Sequence, residues 1–415
     1  MTDNKPAVDQ PRPPKKPTCP WLQFSLRSLL IFTLICALVS EWMVHWIEQK
    51  RMRQEAIDAL LKMGGRVTFD FQQPGGSGIP SGPEWLRRQL GENAFDDVVD
   101  VDLIGYELTD EALTSLKAIP SIKSLQLLYA GKVTDSGLCN LVPLVKLQRL
   151  VIEGSQVSDA GIDSLDGLPE LESLTLAGNN LTDAGIAKVK GLTGLRELSL
   201  SGRGFTDAGL ASLKSLGHLE SLSLGGCALT DAGLMHIKGL SKLKVLKLCG
   251  DSVTDAGLNH LRGLVGLQTL NLAGTRVPGT GLADLRQLTR LRELDLSNTK
   301  LTSTGLASLS ELNQLDELDL AETDVGDHAA EQLCKLSRLQ TLNLRGTRLT
   351  DAGLKRLAEM SNLRSLILTP KGKLDPALER ISQINKVPMP IRQNPISDQG
   401  FAKLQKALPN CAISR

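Results

Sequence analysis

Aromatic residues are scarce in this 415-residue chain, at 3%, and between Ala130 and Gly400 the only one is Phe205. Tight protein interfaces rest largely on Trp, Tyr and Arg anchors, so that long stretch excludes an aromatic hot spot. An excess of charge of either sign is missing too: the net charge is +1, which gives no global reason to expect a nucleic-acid partner. The seven cysteines are an odd number with no C-x-x-C pair. That argues against a closed disulfide framework or a zinc site and reads most of them as small buried hydrophobes. There is no Gly-rich phosphate loop, no G-x-S-x-G and no H-E-x-x-H. Catalytic residues, a cofactor and a resident metal are therefore not expected.

What the chain does have is a beat. Aspartate returns about every 24 residues, at Asp110, Asp135, Asp159, Asp183, Asp207, Asp231, Asp255, Asp327, Asp351, Asp375 and Asp398, and the two missing beats fall in register on Gly279 and Ser303. A fixed period of this length with leucines locked to it marks a solenoid, in which each unit touches only its neighbours. The unit Leu195–Leu216 shows the physics. Leu195, Leu198 and Leu200 put a short strand's apolar side inward, with Glu197, Ser199 and Ser201 facing the other way. A glycine-containing turn follows, and Leu210, Leu213 and Leu216 recur at the spacing of a short α or 3₁₀ segment with one buried stripe. Thr206 and Asp207 stand where that segment begins, and both residue types cap helices well. The expectation is that each of Asp135, Asp159, Asp183, Asp207, Asp231, Asp255, Asp327 and Asp351 caps its own helical segment. A cation-binding reading of the column is weaker, because calcium needs more oxygens than one carboxylate per unit. His236, His260 and Asp284 also share one repeat position, and a metal site there competes with a plainly solvated face, which is preferred.

The motif L-x-x-L-x-L-x-x-T-x-L-T-D-x-G-L-x-x-L-x-x-L resembles the leucine-rich repeat family. Leu291 to Thr299 and Leu339 to Thr347 are close copies of its strand segment, and Thr275, Thr299, Thr323 and Thr347 fill the turn position that the family gives to Asn, Cys or Thr. The likeness covers residues 99–415, about thirteen rungs. It implies an α/β fold: a curved solenoid with a parallel sheet on the concave face and short helices on the convex face. Thirteen strands would make that face roughly 60 Å long. Pro83 to Gly91 reads as a short capping helix, and Val98, Val99, Val101 and Leu103 open the sheet. Pro370, Pro376, Pro388, Pro390 and Pro395 predict irregular late rungs, and Leu404, Leu408 and Ile413 should close the core.

The first hundred residues are of another kind. Residues 1–20 form a disordered, proline-rich basic tail. Residues 21–47 are expected to form a transmembrane helix, bracketed by Trp21 and Trp42 about 31 Å apart at helical rise. A cleaved signal peptide is the alternative, opposed by the lack of a small-x-small pattern around Ala37 to Ser40. Residues 48–73 form a juxtamembrane helix, read as a solvated stalk stopped at Gly64 and Gly65, and a strand from Val67 to Phe71. Residues 74–98 are a linker and N-terminal cap. This order of segments is similar to membrane-anchored repeat proteins of planctomycete-type bacteria. The basic tail argues for repeats on the non-cytoplasmic side.

On the outward strand positions most residues are small and polar. One patch departs from this: Glu293, Asp295, Glu317, Asp319 and Glu322, flanked by Lys247 and Arg345. Such a focus of carboxylates attracts a basic segment. The leading expectation is thus a non-enzymatic, single-pass membrane protein whose concave face binds a protein or a surface polymer. The alternatives are a structural spacer of the envelope with no tight ligand, and an F-box-type substrate-recognition protein, whose repeats are similar but whose helical F-box domain has no counterpart here.

Overall fold

In the computed structural model the described residues are 26–91, 93–250, 252–369 and 394–414. Expectations placed on the first 25 residues, including Trp21, and on Asp375, Pro370, Pro376, Pro388 and Pro390 lie outside them. The chain divides into two compact units, residues 1–53 and 54–415.

One uninterrupted helix, α1 (Leu26–Lys62), runs from the expected membrane segment on through the juxtamembrane stretch. Its N-terminal half is long and apolar enough to cross a membrane. Leu30, Phe32 and Leu34 lie open. Thr33 donates within the helix to the Leu30 carbonyl at 2.9 Å and Ser40 to that of Ala37 at 2.8 Å.

In the second unit the end of α1 is no solvated stalk. Ala56, Ile57 and Leu60 are buried with Val98, Val101 and Leu103 in the first layer of the core, whereas Met63 stays exposed. The backbone turns at Gly64, whose φ of +81° is left-handed. Strand β1 (Arg66–Phe69) then returns antiparallel along β2 (Val98–Ile104), so it closes the sheet's first edge. The short helix α2 (Glu84–Leu90) lies between them, ended at Gly91.

From β2 onward every strand is parallel to the last, within one fourteen-stranded sheet in strict chain order. The series continues with β3 (Ser124–Leu128), β4 (Arg149–Glu153), β5 (Ser173–Ala177), β6 (Glu197–Ser201), β7 (Ser221–Gly225) and β8 (Val245–Cys249). It is completed by β9 (Thr269–Asn271), β10 (Glu293–Asp295), β11 (Glu317–Asp319), β12 (Thr341–Asn343), β13 (Ser365–Ile367) and β14 (Ala412–Ser414). The register never slips along the repeats: Leu174 pairs Leu198, which pairs Leu222, and the row runs on through Leu246, Leu270, Leu294, Leu318, Leu342 and Leu366. A slip by one residue would turn each strand's leucines out to water. Burying each leucine contributes about 2 kcal/mol, and one continuous core collects them from Leu60 to Leu408. Leu404 and Leu408 are buried at the far end and Ile413 is half-buried.

Strands β3 to β8 have five residues and β9 to β13 have three. The cause is chemical in β9 to β12. The last strand residue there is Asn271, Asp295, Asp319 or Asn343, and each accepts the backbone N–H two residues on with its own Oδ1, at 2.8–3.1 Å. That side-chain turn ends the ladder early.

On the opposite side run the short α and 3₁₀ segments. The expectation that aspartates cap their own segments is corrected here. Threonine is the cap: Thr182, Thr206, Thr230, Thr254 and Thr350 accept the N–H two residues on. The aspartate is the first residue of the segment, and its carboxylate reaches into the following rung. Asp183 accepts the backbone N–H and the hydroxyl of Thr206 at 2.8 and 2.5 Å. Asp135 does the same with Ser158, Asp159 with Thr182, Asp207 with Thr230, Asp231 with Thr254 and Asp327 with Thr350. The column is a chain of clamps between rungs, and each partly exposed clamp as a whole contributes about 1.5–3 kcal/mol.

The clamp explains the glycine of the repeat. Gly209 has an ordinary φ, yet a Cβ there would lie 2.4 Å from the Asp183 Oδ1, and the equivalent figure is 2.4–2.5 Å at Gly161, Gly185, Gly233, Gly257 and Gly353. The exceptions obey the same rule. Among the described residues alanine fills this place only at Ala112, where no repeat aspartate precedes, and at Ala329, whose preceding rung carries the shorter Ser303. The end of the chain shows one more feature of the ladder: Asp351 holds the backbone N–H and hydroxyl of Ser397 at 2.9 and 2.5 Å, so Asp398 follows it in the described stack.

Cysteine burial departs from expectation. Cys227 is buried, Cys139 and Cys36 are exposed, and Cys249, Cys334 and Cys411 lie between.

Candidate functional site on the solvent side of the sheet

Outward positions of adjacent strands stand in rows. In one row Glu293 of β10 lies beside Glu317 of β11, and in the next Asp295 lies beside Asp319. Together they line a depression of about 280 Å³ with Lys247 of β8, Thr269 and Asn271 of β9, and Asn343 of β12. The structure thus brings four of the five expected acidic residues together. Glu322 is the exception. It lies beyond the strand in a left-handed turn (φ 56°), where most other rungs place glycine, and its carboxylate lies over Gly346. Counting along the sequence hid this, because a residue past the turn no longer alternates with the strand.

The four carboxylates are held unequally. Asp295 accepts from the Ser297 N–H at 2.9 Å and the Asn271 amide at 2.7 Å. Asp319 mirrors it, accepting from the Ala321 N–H at 2.8 Å and the Asn343 amide at 2.9 Å. The asparagines thus bracket the aspartate pair from outside, and nothing donates between the two aspartates. Burial, and more weakly the like charge of Asp295, raises the Asp319 pKa from its ordinary value against the pull of its two donors. Glu293 accepts the Thr269 hydroxyl at 3.0 Å, while Glu317 has neither a hydrogen bond nor an ion pair among the described residues. Such a square of carboxylates on one open surface favours a cationic group of a binding partner.

The residue just before the strand forms a different row, of alternating charge. Arg196 bridges Glu172 and Glu220 at 3.5 and 2.8 Å, Lys244 reaches Glu220 at 2.5 Å, and Arg292 reaches Asp316 at 2.9 Å. The hydrogen bonds from Lys244 and then Arg196 hold the Glu220 pKa below its usual value. Here opposite charges neutralise each other, unlike the square at the centre of β10 and β11.

A second surface feature was not found from the sequence. The protein's two tyrosines, Tyr106 and Tyr129, meet beyond the ends of β2 and β3 with ring centroids 5.5 Å apart and planes tilted by 40°. Both are open, at 68% and 53% exposure, beside the exposed Ile104. Tyr129 carries a left-handed φ of 55° in a turn place mostly given to glycine.

The histidine column does not gather a metal set. Asp284 is ion-paired with Arg262, and among the described residues no three His, Cys, Asp or Glu side chains are arranged to hold an ion.

The model of a leucine-rich repeat region matches residues 199–404, and that of a leucine-rich repeat matches residues 168–189. Among curated proteins nothing matches. Among solved structures, an internalin (inlF) from Listeria monocytogenes superposes with a TM-score of 0.55 at 18% identity, covering 79% of this chain and 92% of its own. A leucine-rich repeat protein of Leptospira interrogans gives a TM-score of 0.45 at 17% identity over 82% of this chain and 94% of its own. At 18% identity the likeness to the internalin is one of fold. The beat of leucines, the unbroken parallel sheet and the two matching family models agree: this chain is a leucine-rich repeat protein.

Proposed function

We propose that the protein is a non-enzymatic, single-pass membrane protein that captures a partner on the concave side of its sheet, and that the partner presents a basic segment to Glu293, Asp295, Glu317 and Asp319. The observation that carries this reading is the convergence of those four carboxylates in one open depression. Proteins of this family generally mediate protein–protein interaction, which supports the choice of a protein over a surface polymer. Glu322 is left out of the proposed contact. The N-terminal half of α1, with its exposed apolar residues and internally bonded Thr33 and Ser40, supports an anchor within residues 21–47; the basic tail ahead of it favours repeats on the non-cytoplasmic side.

The test is capture from native membranes after cross-linking, comparing the wild type with Glu293→Lys plus Asp319→Lys. The reading expects a partner that the wild type retains and the double reversal loses, with the circular dichroism unchanged. Equal recovery by both proteins counts against it, and no abundant partner for either favours a structural spacer. Alkaline carbonate extraction tests the anchor separately: the full chain should stay in the membrane pellet.

A further inference from the structure

On the helical side the clamps fail at two consecutive boundaries. The cause begins at Pro278, which takes the place of the clamped threonine and has no N–H to donate. Asp255 binds instead the Gly279 N–H at 3.1 Å and the Thr280 hydroxyl. Gly279 then occupies the aspartate's place, in a left-handed conformation (φ 110°), and offers no carboxylate to the next rung. Thr302 of that rung has lost both partners seen elsewhere. Its N–H reaches the Pro278 carbonyl at 3.3 Å, and its hydroxyl turns to Thr304 in its own rung at 2.9 Å. At the following boundary Ser303 accepts a single bond, from the Gly326 N–H at 2.9 Å. Full clamping resumes with Asp327, which holds Thr350 twice and the Gly353 N–H as well.

What remains across the first gap is backbone laid on backbone. A Cβ on Gly305 would lie 2.7 Å from the Gly279 Cα. Besides this close contact the helical side keeps only the long Thr302 N–H bond to the Pro278 carbonyl, at 3.3 Å, in place of a charge-assisted clamp. The sheet side of the second boundary bears its own strain, because Glu293 and Asp295 sit beside Glu317 and Asp319. The exposed ion pair Arg292–Asp316 still spans it, but exposed pairs hold little.

We infer that the rungs of β9, β10 and β11 form a flexible seam built into an otherwise clamped stack, and that the four carboxylates ride on it. In a solenoid each boundary contributes its own coupling, so missing clamps lower protection locally rather than everywhere. Motion at the seam changes the spacing between the Glu293/Asp295 and Glu317/Asp319 rows. The seam stands without any partner; only its use in adjusting to one rests on the proposed binding reading.

Hydrogen exchange of the full chain in detergent micelles, read by mass spectrometry without ligand, tests it. Backbone amides of residues 280–311 should exchange about tenfold faster than those of residues 183–214 and 231–262. A variant carrying Ser303→Asp, Gly326→Thr and Ala329→Gly rebuilds one clamp, since a Cβ at Gly326 meets nothing closer than 3.7 Å. It should bring residues 305–311 close to the flanking rate. Equal protection of seam and flanks in the wild type overturns the inference, as does a folded triple variant that leaves residues 305–311 fast. If the variant fails to fold, the wild-type pattern alone decides. Loss of partner capture in the charge-reversal experiment would leave this result unaffected.

Discussion

Two stretches of the same sheet share their register, their leucine ladder and their buried core, yet differ in how neighbouring rungs are joined. From Asp135 to Asp255 each helical segment sends a carboxylate into the next one. From Gly279 to Ser303 that link is gone or halved, while Leu270, Leu294 and Leu318 remain paired and buried. Burial fixes which residues stack; it does not fix how firmly one rung holds the next. Firmness comes from a polar bond that the hydrophobic beat does not require. The stretch where it is missing carries the like-charge square on its other face.

The comparison breaks most sharply at the glycines. Gly209→Ala places a methyl 2.4 Å from the Asp183 Oδ1 and should destabilise by about 1–3 kcal/mol, as overpacking does, in urea unfolding of the purified chain. The reverse change at the seam, Ala329→Gly, should cost about 0.5–1 kcal/mol through backbone freedom alone. Equal costs at both sites would erase the distinction. The carboxylates themselves come next. Asp207→Ala strands the N–H and hydroxyl of Thr230 and should cost about 2 kcal/mol, against about 1 for Ser303→Ala, which strands one donor.

Asp319 probes the sheet side of the seam. Its pKa is raised in the folded protein, so the native state binds the proton more strongly than the unfolded one. The charged form is therefore the destabilising one. The favourable contribution is complete below the ordinary aspartate value of 3.8 and is lost as pH rises through the raised folded value. Asp319→Asn, which copies the asparagines of the rungs flanking the pair, should stabilise by a few tenths of a kcal/mol, at most about 1, near pH 7. The gain should vanish near pH 3. A gain that grows on acidification would reverse the sign. The smallest effect belongs to the neutralised row: Glu220→Gln should lower the melting temperature slightly at low salt and not at all in about 1 M salt.

Much of this was legible in the residues. Leucine spacing showed the strands and their inward faces, and the aspartate beat showed the rungs, because periodicity reports what must be buried together. Four of the five acidic positions followed from strand alternation alone. Glu322 did not, since it sits past a left-handed turn where alternation ends. The direction of the aspartates was hidden for a different reason. Spacing shows that copies stack but not whether a side chain bonds within its rung or beyond it. A clue was present in the pairing of the aspartates from Asp110 to Asp255, and of Asp327, with a glycine one rung on, and of Ser303 with Ala329. The tyrosine pair was missed because Tyr106 and Tyr129 are 23 residues apart, each unremarkable alone. The buried end of α1 was missed because its stripe is Ala56, Ile57 and Leu60, while Met52 and Met63, which complete the apparent helical period, stay exposed.

The rule that a rung's aspartate dictates the next rung's glycine is tested most directly by a double-mutant cycle on Asp183→Ser and Gly209→Ala, which transplants the Ser303/Ala329 pairing into a clamped boundary. Unfolding free energies of the four proteins give the coupling. The account predicts that alanine at 209, costly beside Asp183, becomes tolerated beside serine, a favourable coupling of about 1–2 kcal/mol. Additive costs within about 0.3 kcal/mol would mean that the carboxylate and the glycine are independent, and the clamp would then not be what joins the rungs.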